Sequence, residues 1–123
     1  MISTLQPDQI DLIAVAGIAL TVDKLQTSNE RFDLYMDDSG ETVYSITAMK
    51  AGQSTNDQKQ DYWTTCYFEK GGLSLFLDGQ EKRINGRCRV DIAPHVQYRI
   101  NNNTDQAIGF LSNWKKKDQV YDQ

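Results

Sequence analysis

Along the chain, short runs rich in Val, Ile, Thr, Tyr and Phe alternate with polar positions, and clusters of Gly, Asp and Asn separate them. Long helical periodicity is absent. The pattern predicts strands at Leu12–Val22, Arg31–Met36, Thr42–Met49, Tyr62–Phe68, Leu73–Leu77, Gln80–Ile84, Arg87–Ile92, Gln97–Asn101 and Ala107–Trp114. Asp37-Asp38-Ser39-Gly40 and Lys70-Gly71-Gly72 supply the positive-φ residues that hairpins need, and Asp78-Gly79 and Asn85-Gly86 are the strongest hairpin signals. The segment Gln53–Gln60 is polar and aperiodic, so it reads as a loop. Pro7 followed by Asp8 suits a short helical turn, and the chain from Lys115 onward reads as a loose tail. The expected architecture is all-β, a single domain over residues 1–123.

Bulk properties narrow the function classes. The chain is 24% charged with a net charge of −4, which argues against a nucleic-acid partner. The Lys115-Lys116-Lys117 run reads as a solvated end. The stretch DLIAVAGIALTV spans 12 residues, too few to cross a membrane, and acidic rather than basic residues precede it. The two cysteines, Cys66 and Cys88, lie in strand-like runs and read as buried free thiols rather than a disulfide framework. The expectation is an acidic protein of the reducing cytoplasm.

The order of features from Ala51 to Trp114 carries a resemblance. AGQS at Ala51–Ser54, then CYFEKGGLSLFLDGQ, then INGRCRVDIAPHVQYRINNNTD and finally AIGFLSNW follow one another at set intervals. In that order they resemble the two motifs and closing strand of a cupin, a jelly-roll barrel also described as a double-stranded β-helix. The family brings metal-binding histidines and a glutamate into its barrel. Counted back from Gly71, its glutamate position falls at Thr64 and its paired histidines fall within Asp57–Gln60. In the second motif, the count from Pro94 puts the histidine position at Arg99 and an asparagine at Asn103, whereas the count from Gly86 gives Gln97. The one histidine, His95, follows Pro94 in a turn and reads as exposed. The resemblance thus implies the barrel without its metal ligands, and no cofactor is expected.

Strand alternation puts Tyr62, Thr64, Cys66 and Phe68 on one face, and the resemblance turns that face inward with Leu73, Leu75 and Leu77. Gln60, Tyr62, Thr64, Cys66, Gln97 and Arg99 are the expected ligand-binding residues, with an apolar wall beyond them. Packing alone is the competing reading for Tyr62, Thr64 and Cys66, and an outward face is the competing reading for Arg99. Trp63 and Trp114 read as core or interface aromatics, and Arg87 and Arg89 as outward residues. The leading function is metal-independent binding of a small organic ligand, an anionic one if Arg99 points inward. The alternatives are a filled barrel acting as an interaction or assembly module, and an isomerase, epimerase or lyase using Tyr62, Cys66 or Arg99. A homodimer is expected, because the apolar run IDLIAVAGIAL suits a covered strand.

Overall fold

The computed structural model describes Ile2–Ser3 and residues 25–119. The strands are β1 (Ile2–Ser3), β2 (Leu25–Ser28), β3 (Phe32–Asp37), β4 (Thr42–Met49), β5 (Thr64–Phe68), β6 (Leu73–Leu77), β7 (Gln80–Ile84), β8 (Cys88–Ile92), β9 (Tyr98–Asn102) and β10 (Ile108–Lys115). A helical turn, α1 (Lys116–Gln119), continues β10 where a loose tail was expected. The expected strand at Leu12–Val22 and the turn at Pro7-Asp8 lie outside the described residues. No helix among the described residues is long and apolar enough to cross a membrane.

Two antiparallel sheets face each other, as an all-β jelly roll requires. The larger has the order β1-β8-β5-β10-β4-β3-β2, and the smaller has the order β7-β6-β9. Inward residues of the large sheet align in rows across its strands. Cys66 pairs with Ser112 and Ser112 with Ser45, while Phe68 pairs with Phe110 and Phe110 with Thr47. From the smaller sheet, Leu73 and Leu75 complete the core with Ile84, Tyr98 and Ile100, and Leu77 packs against it half-buried. The Phe68 and Phe110 rings sit 5.6 Å apart, a normal spacing for packed aromatics.

The core explains where the barrel is solid. Met49, Phe68, Leu73, Leu75, Ile108 and Phe110 are bulky and fill one end. At the other end the inward positions hold Ser45, Thr47, Thr64 and Ser112, which are buried but small. A space is left there.

The turns correct two expectations. Asp78 and Gly79 both have positive φ, 48° and 85°, and they close the β6–β7 hairpin as the sequence suggests. Asn85-Gly86 and Lys70-Gly71-Gly72 do not close hairpins. Each carries the chain from one sheet to the other, since β7 is not paired with β8 nor β5 with β6. Gly72 has φ +109°, and a Cβ there would lie 2.6 Å from Thr104 Cγ2 and 2.8 Å from Ile108 Cδ1. Replacing Gly72 with Ala is therefore expected to cost about 2 kcal/mol, read as a lower urea midpoint. An unchanged midpoint would show that the sheet crossover does not need this backbone.

Candidate ligand-binding cavity

The hollow end forms a cavity of about 530 Å³, open at one side. Its walls come from three sources. From β3, Phe32, Leu34 and Met36 give an apolar wall, and Ser45, Thr47, Thr64, Phe110, Ser112 and Trp114 give the sheet floor. The third source is the edge made by β9, which adds Tyr98 and Ile100, and the segment read as a loop. That segment runs beside β9, with Thr55 N–H donating to Ile100 O at 2.9 Å and Gln58 N–H to Tyr98 O at 2.8 Å. This edge-strand pairing presents Thr55, Asn56, Asp57, Gln58 and Gln60 to the cavity. None of Thr55, Asn56, Asp57 and Gln58 was expected as a ligand residue, because an aperiodic polar run carries no facing signal.

Of the six residues singled out in the sequence, Gln60, Tyr62 and Thr64 line the cavity. Cys66 does not. It faces inward but is buried beside Ser112, its Sγ 3.5 Å from Ser112 Oγ. Burial pushes the Cys66 thiol up to about 11, with the Ser112 hydrogen bond offsetting part of the rise. A thiolate nucleophile is disfavoured there.

Gln97 and Arg99 do not reach the cavity, and the reason is register. β9 pairs with β6 so that Tyr98 opposes Leu77 and Ile100 opposes Leu75. Tyr98, Ile100 and Asn102 therefore face inward, while Gln97 is exposed. Arg99 lies on the outer face, its Cζ 4.5 Å from the centre of the Phe76 ring, its Nε donating to Asn101 Oδ1 at 3.2 Å. Its Nη1 also stands 3.8 Å from Asp57 Oδ1. Both motif counts missed by one residue. The alternation of Val96, Tyr98 and Ile100 was the signal that contradicted them. Moving the count by one puts Tyr98 at the histidine position and Asn102 at the asparagine position.

Tyr98 is buried, and its hydroxyl donates to Gln58 Oε1 at 3.4 Å. Burial holds its phenol well above the ordinary range, so it stays neutral at physiological pH. His95 sits in an exposed turn, its Nδ1 3.8 Å from Asp61 Oδ1. Trp63 is 57% exposed and stands outside this cavity, whereas Trp114 lines it with its ring 5.8 Å from that of Tyr62. Among the described residues, the buried side-chain polar atoms without a hydrogen-bond partner are Thr64 Oγ1 and Trp114 Nε1. Both belong to the cavity wall.

The cavity does not fit a first-row metal ion. Its wall offers, among the described residues, a single carboxylate, Asp57, with no imidazole or thiolate, and such metals need several of these donors converging. Among the described residues, no group of three or more His, Cys, Asp or Glu side chains could hold one.

The raised Cys66 thiol predicts a pH dependence. An unfolded thiol ionises near 9.0, while the folded one resists until about 11. The folded state then holds more protons across that window, so its stability is full below pH 9 and falls as pH rises toward 11. Cys66→Ala is expected to flatten this fall, a change of no more than about 3 kcal/mol over the window. Equal alkaline slopes for both proteins would contradict the burial of the thiol.

No protein-family model matches the sequence, and no curated protein does. Solved structures do match the fold. An RmlC-like cupin from Shewanella frigidimarina superposes with a TM-score of 0.64 at 12% identity, over 81% of this chain and 93% of that one. A cupin 2 conserved barrel domain protein from Salinispora arenicola gives 0.64 at 15%, over 78% and 85%. A Bacillus subtilis oxalate decarboxylase with Mn(II) centres gives 0.67 at 14%, over 82% of this chain but 29% of that one. The paired sheets, their crossovers and these superpositions agree: the chain has the cupin fold.

Proposed function

We propose that the barrel binds a small, uncharged, polar organic molecule, without a metal ion. The observation that carries this reading is the chemistry of the cavity wall. At about 530 Å³ the space is of ligand size. Hydroxyl, amide and aromatic groups line it, and among the described residues Asp57 is the one charged side chain there. The anionic ligand suggested by the sequence depended on Arg99 pointing inward. Arg99 lies on the outer face, where its Nη1 stands 3.8 Å from Asp57 Oδ1, so among the described residues the wall itself offers an anion a carboxylate and no cationic side chain.

The hollow at this end does not suit a filled-barrel scaffold, and a wall whose one described carboxylate, Asp57, is exposed and paired with Arg99 does not suit acid–base chemistry. A ligand panel sorted by charge tests the proposal by thermal shift. Uncharged polar compounds are expected to raise the Tm of the wild type and to leave Ser45→Phe, which fills the cavity, unmoved. Stabilisation chiefly by carboxylates or phosphates would sink it, as would equal shifts in both proteins.

A further inference from the structure

We propose that the protein has a second ligand site, a groove beside Trp63 that takes one ring of an uncharged saccharide. The groove encloses about 450 Å³ between β7 and the end of β8, which belong to different sheets and are not paired. No described residue lines both this groove and the barrel cavity, so the site stands apart from the function proposed above.

The register of the small sheet builds one side. Gln80 opposes Leu77, Lys82 opposes Leu75 and Ile84 opposes Leu73, so all three β7 residues share the inward face with those leucines. Ile84 is buried, as an inward position should be. Gln80 and Lys82 are exposed, and their side chains have no hydrogen bond or ion pair among the described residues. Hydrogen-bonding side chains thus occupy two successive inward positions and stay open to the groove. Lys82 also discourages edge-to-edge pairing of β7, but that role gives no reason for an exposed indole next to it. Trp63 is 57% exposed, and Leu77, Ile92 and Val96 supply apolar surface beside it.

This combination selects the ligand. An aromatic face is negative, and the C–H bonds of a pyranose present a flat, weakly positive face that stacks on it. Around that face a sugar carries hydroxyls that both donate and accept. Lys82 Nζ donates, the Gln80 amide does both, and Asp78 keeps Oδ2 as an acceptor while its Oδ1 holds the Gln97 N–H at 3.0 Å. The groove has no net charge to hold an ion. Arg89 donates twice to Asp91, at 3.1 and 3.0 Å, and Lys82 offsets Asp78. A purely apolar occupant, such as the side chains of a docking peptide, would desolvate Gln80 and Lys82 without giving them partners.

The test uses the full chain labelled with nitrogen-15, whose two tryptophans give two indole N–H signals. Trp63→Phe identifies which is which. The probes are cellotriose, whose rings expose flat C–H faces; sorbitol, which carries hydroxyls but no ring; and acetyl-valyl-leucyl-valinamide, an apolar peptide. The expected result is a saturable shift of the Trp63 signal by cellotriose, with a Kd of about 1 mM, while the Trp114 signal stays in place and sorbitol gives no saturable shift. Trp63→Ala should weaken cellotriose binding about tenfold and Gln80→Ala about threefold, read from the backbone amides of β7. Both side chains are exposed, so neither variant should unfold the chain. Cellotriose binding that survives Trp63→Ala would overturn the site. So would equal binding of sorbitol, preference for the peptide, or no binding by any probe, and none of these outcomes bears on the barrel cavity.

Discussion

Asn102→Asp is expected to lower stability by about 4 kcal/mol, among the largest losses open to a single polar substitution. Asn102 is 2% exposed and serves as a junction for three segments. Its Nδ2 donates to Met49 O at 3.1 Å, to Lys50 O at 3.2 Å and to Gln106 O at 2.8 Å. Its Oδ1 accepts from Thr104 N–H at 3.0 Å and Thr104 Oγ1 at 2.8 Å. The end of β4, the end of β9 and the turn into β10 are thereby joined. A carboxylate keeps the accepting half and loses the donors, so it would turn an anionic oxygen toward three carbonyls in a buried place. Urea unfolding of the variant at neutral pH checks this. The loss should shrink at acid pH, where the protonated carboxyl regains one donor. Asn103→Asp, at an exposed neighbour, is the control and should cost about 1 kcal/mol or less. A loss below about 1 kcal/mol at Asn102 would show that the junction does not hold the barrel together.

Phe68→Ala should cost about 4 kcal/mol, for a different reason. Phe68 is fully buried in the filled end and stacks against Phe110, which itself forms part of the cavity wall. Removing the ring forfeits its transfer free energy and leaves a void that the closely packed sheets cannot close. The void lies behind the cavity floor, so Phe110 gains room to shift and the cavity loses its defined shape. Ligand-induced stabilisation should therefore weaken in this variant beyond the loss of fold stability. Phe68→Leu, which keeps most of the volume, should cost only about 1.5 kcal/mol. A Phe68→Ala variant as stable as the wild type would mean that the solid end of the barrel is not where the burial places it.

These two residues also show what sequence reading reaches. Phe68 was legible, because alternation puts it on one face with Thr64 and Cys66 and the cupin resemblance turned that face inward, where all three are buried. The strand Leu25–Ser28 was not, since all four of its residues are exposed and no alternation marks them. Asn102 was missed for a subtler cause. Motif counting gave two answers, Arg99 from Pro94 and Gln97 from Gly86, and each lies one residue from the inward Tyr98, which in a strand is the difference between cavity and solvent. The apolar spacing of Val96, Tyr98 and Ile100 is the stronger evidence there, because burial energy acts on every turn of the pleat and motif spacing does not.

The candidate site was legible only where it lay on strands. Tyr62 and Thr64 follow from alternation, whereas Thr55, Asn56, Asp57 and Gln58 reach the cavity through pairing with β9 that no local pattern announces. The cavity itself is a property of summed side-chain volume across two sheets. In retrospect its mark is the set of small hydroxyl residues, Ser45, Thr47, Thr64 and Ser112, at inward positions where the other end of the barrel uses Phe, Leu, Ile and Met.

Native mass spectrometry of the untagged full chain, beside Ser45→Phe, tests the central claim most directly. The account predicts that the wild type carries an organic mass, one per chain, that departs as a neutral molecule on activation and is missing from the cavity-filled variant. One first-row metal ion per chain, or an adduct that leaves as an anion and persists in Ser45→Phe, would contradict it.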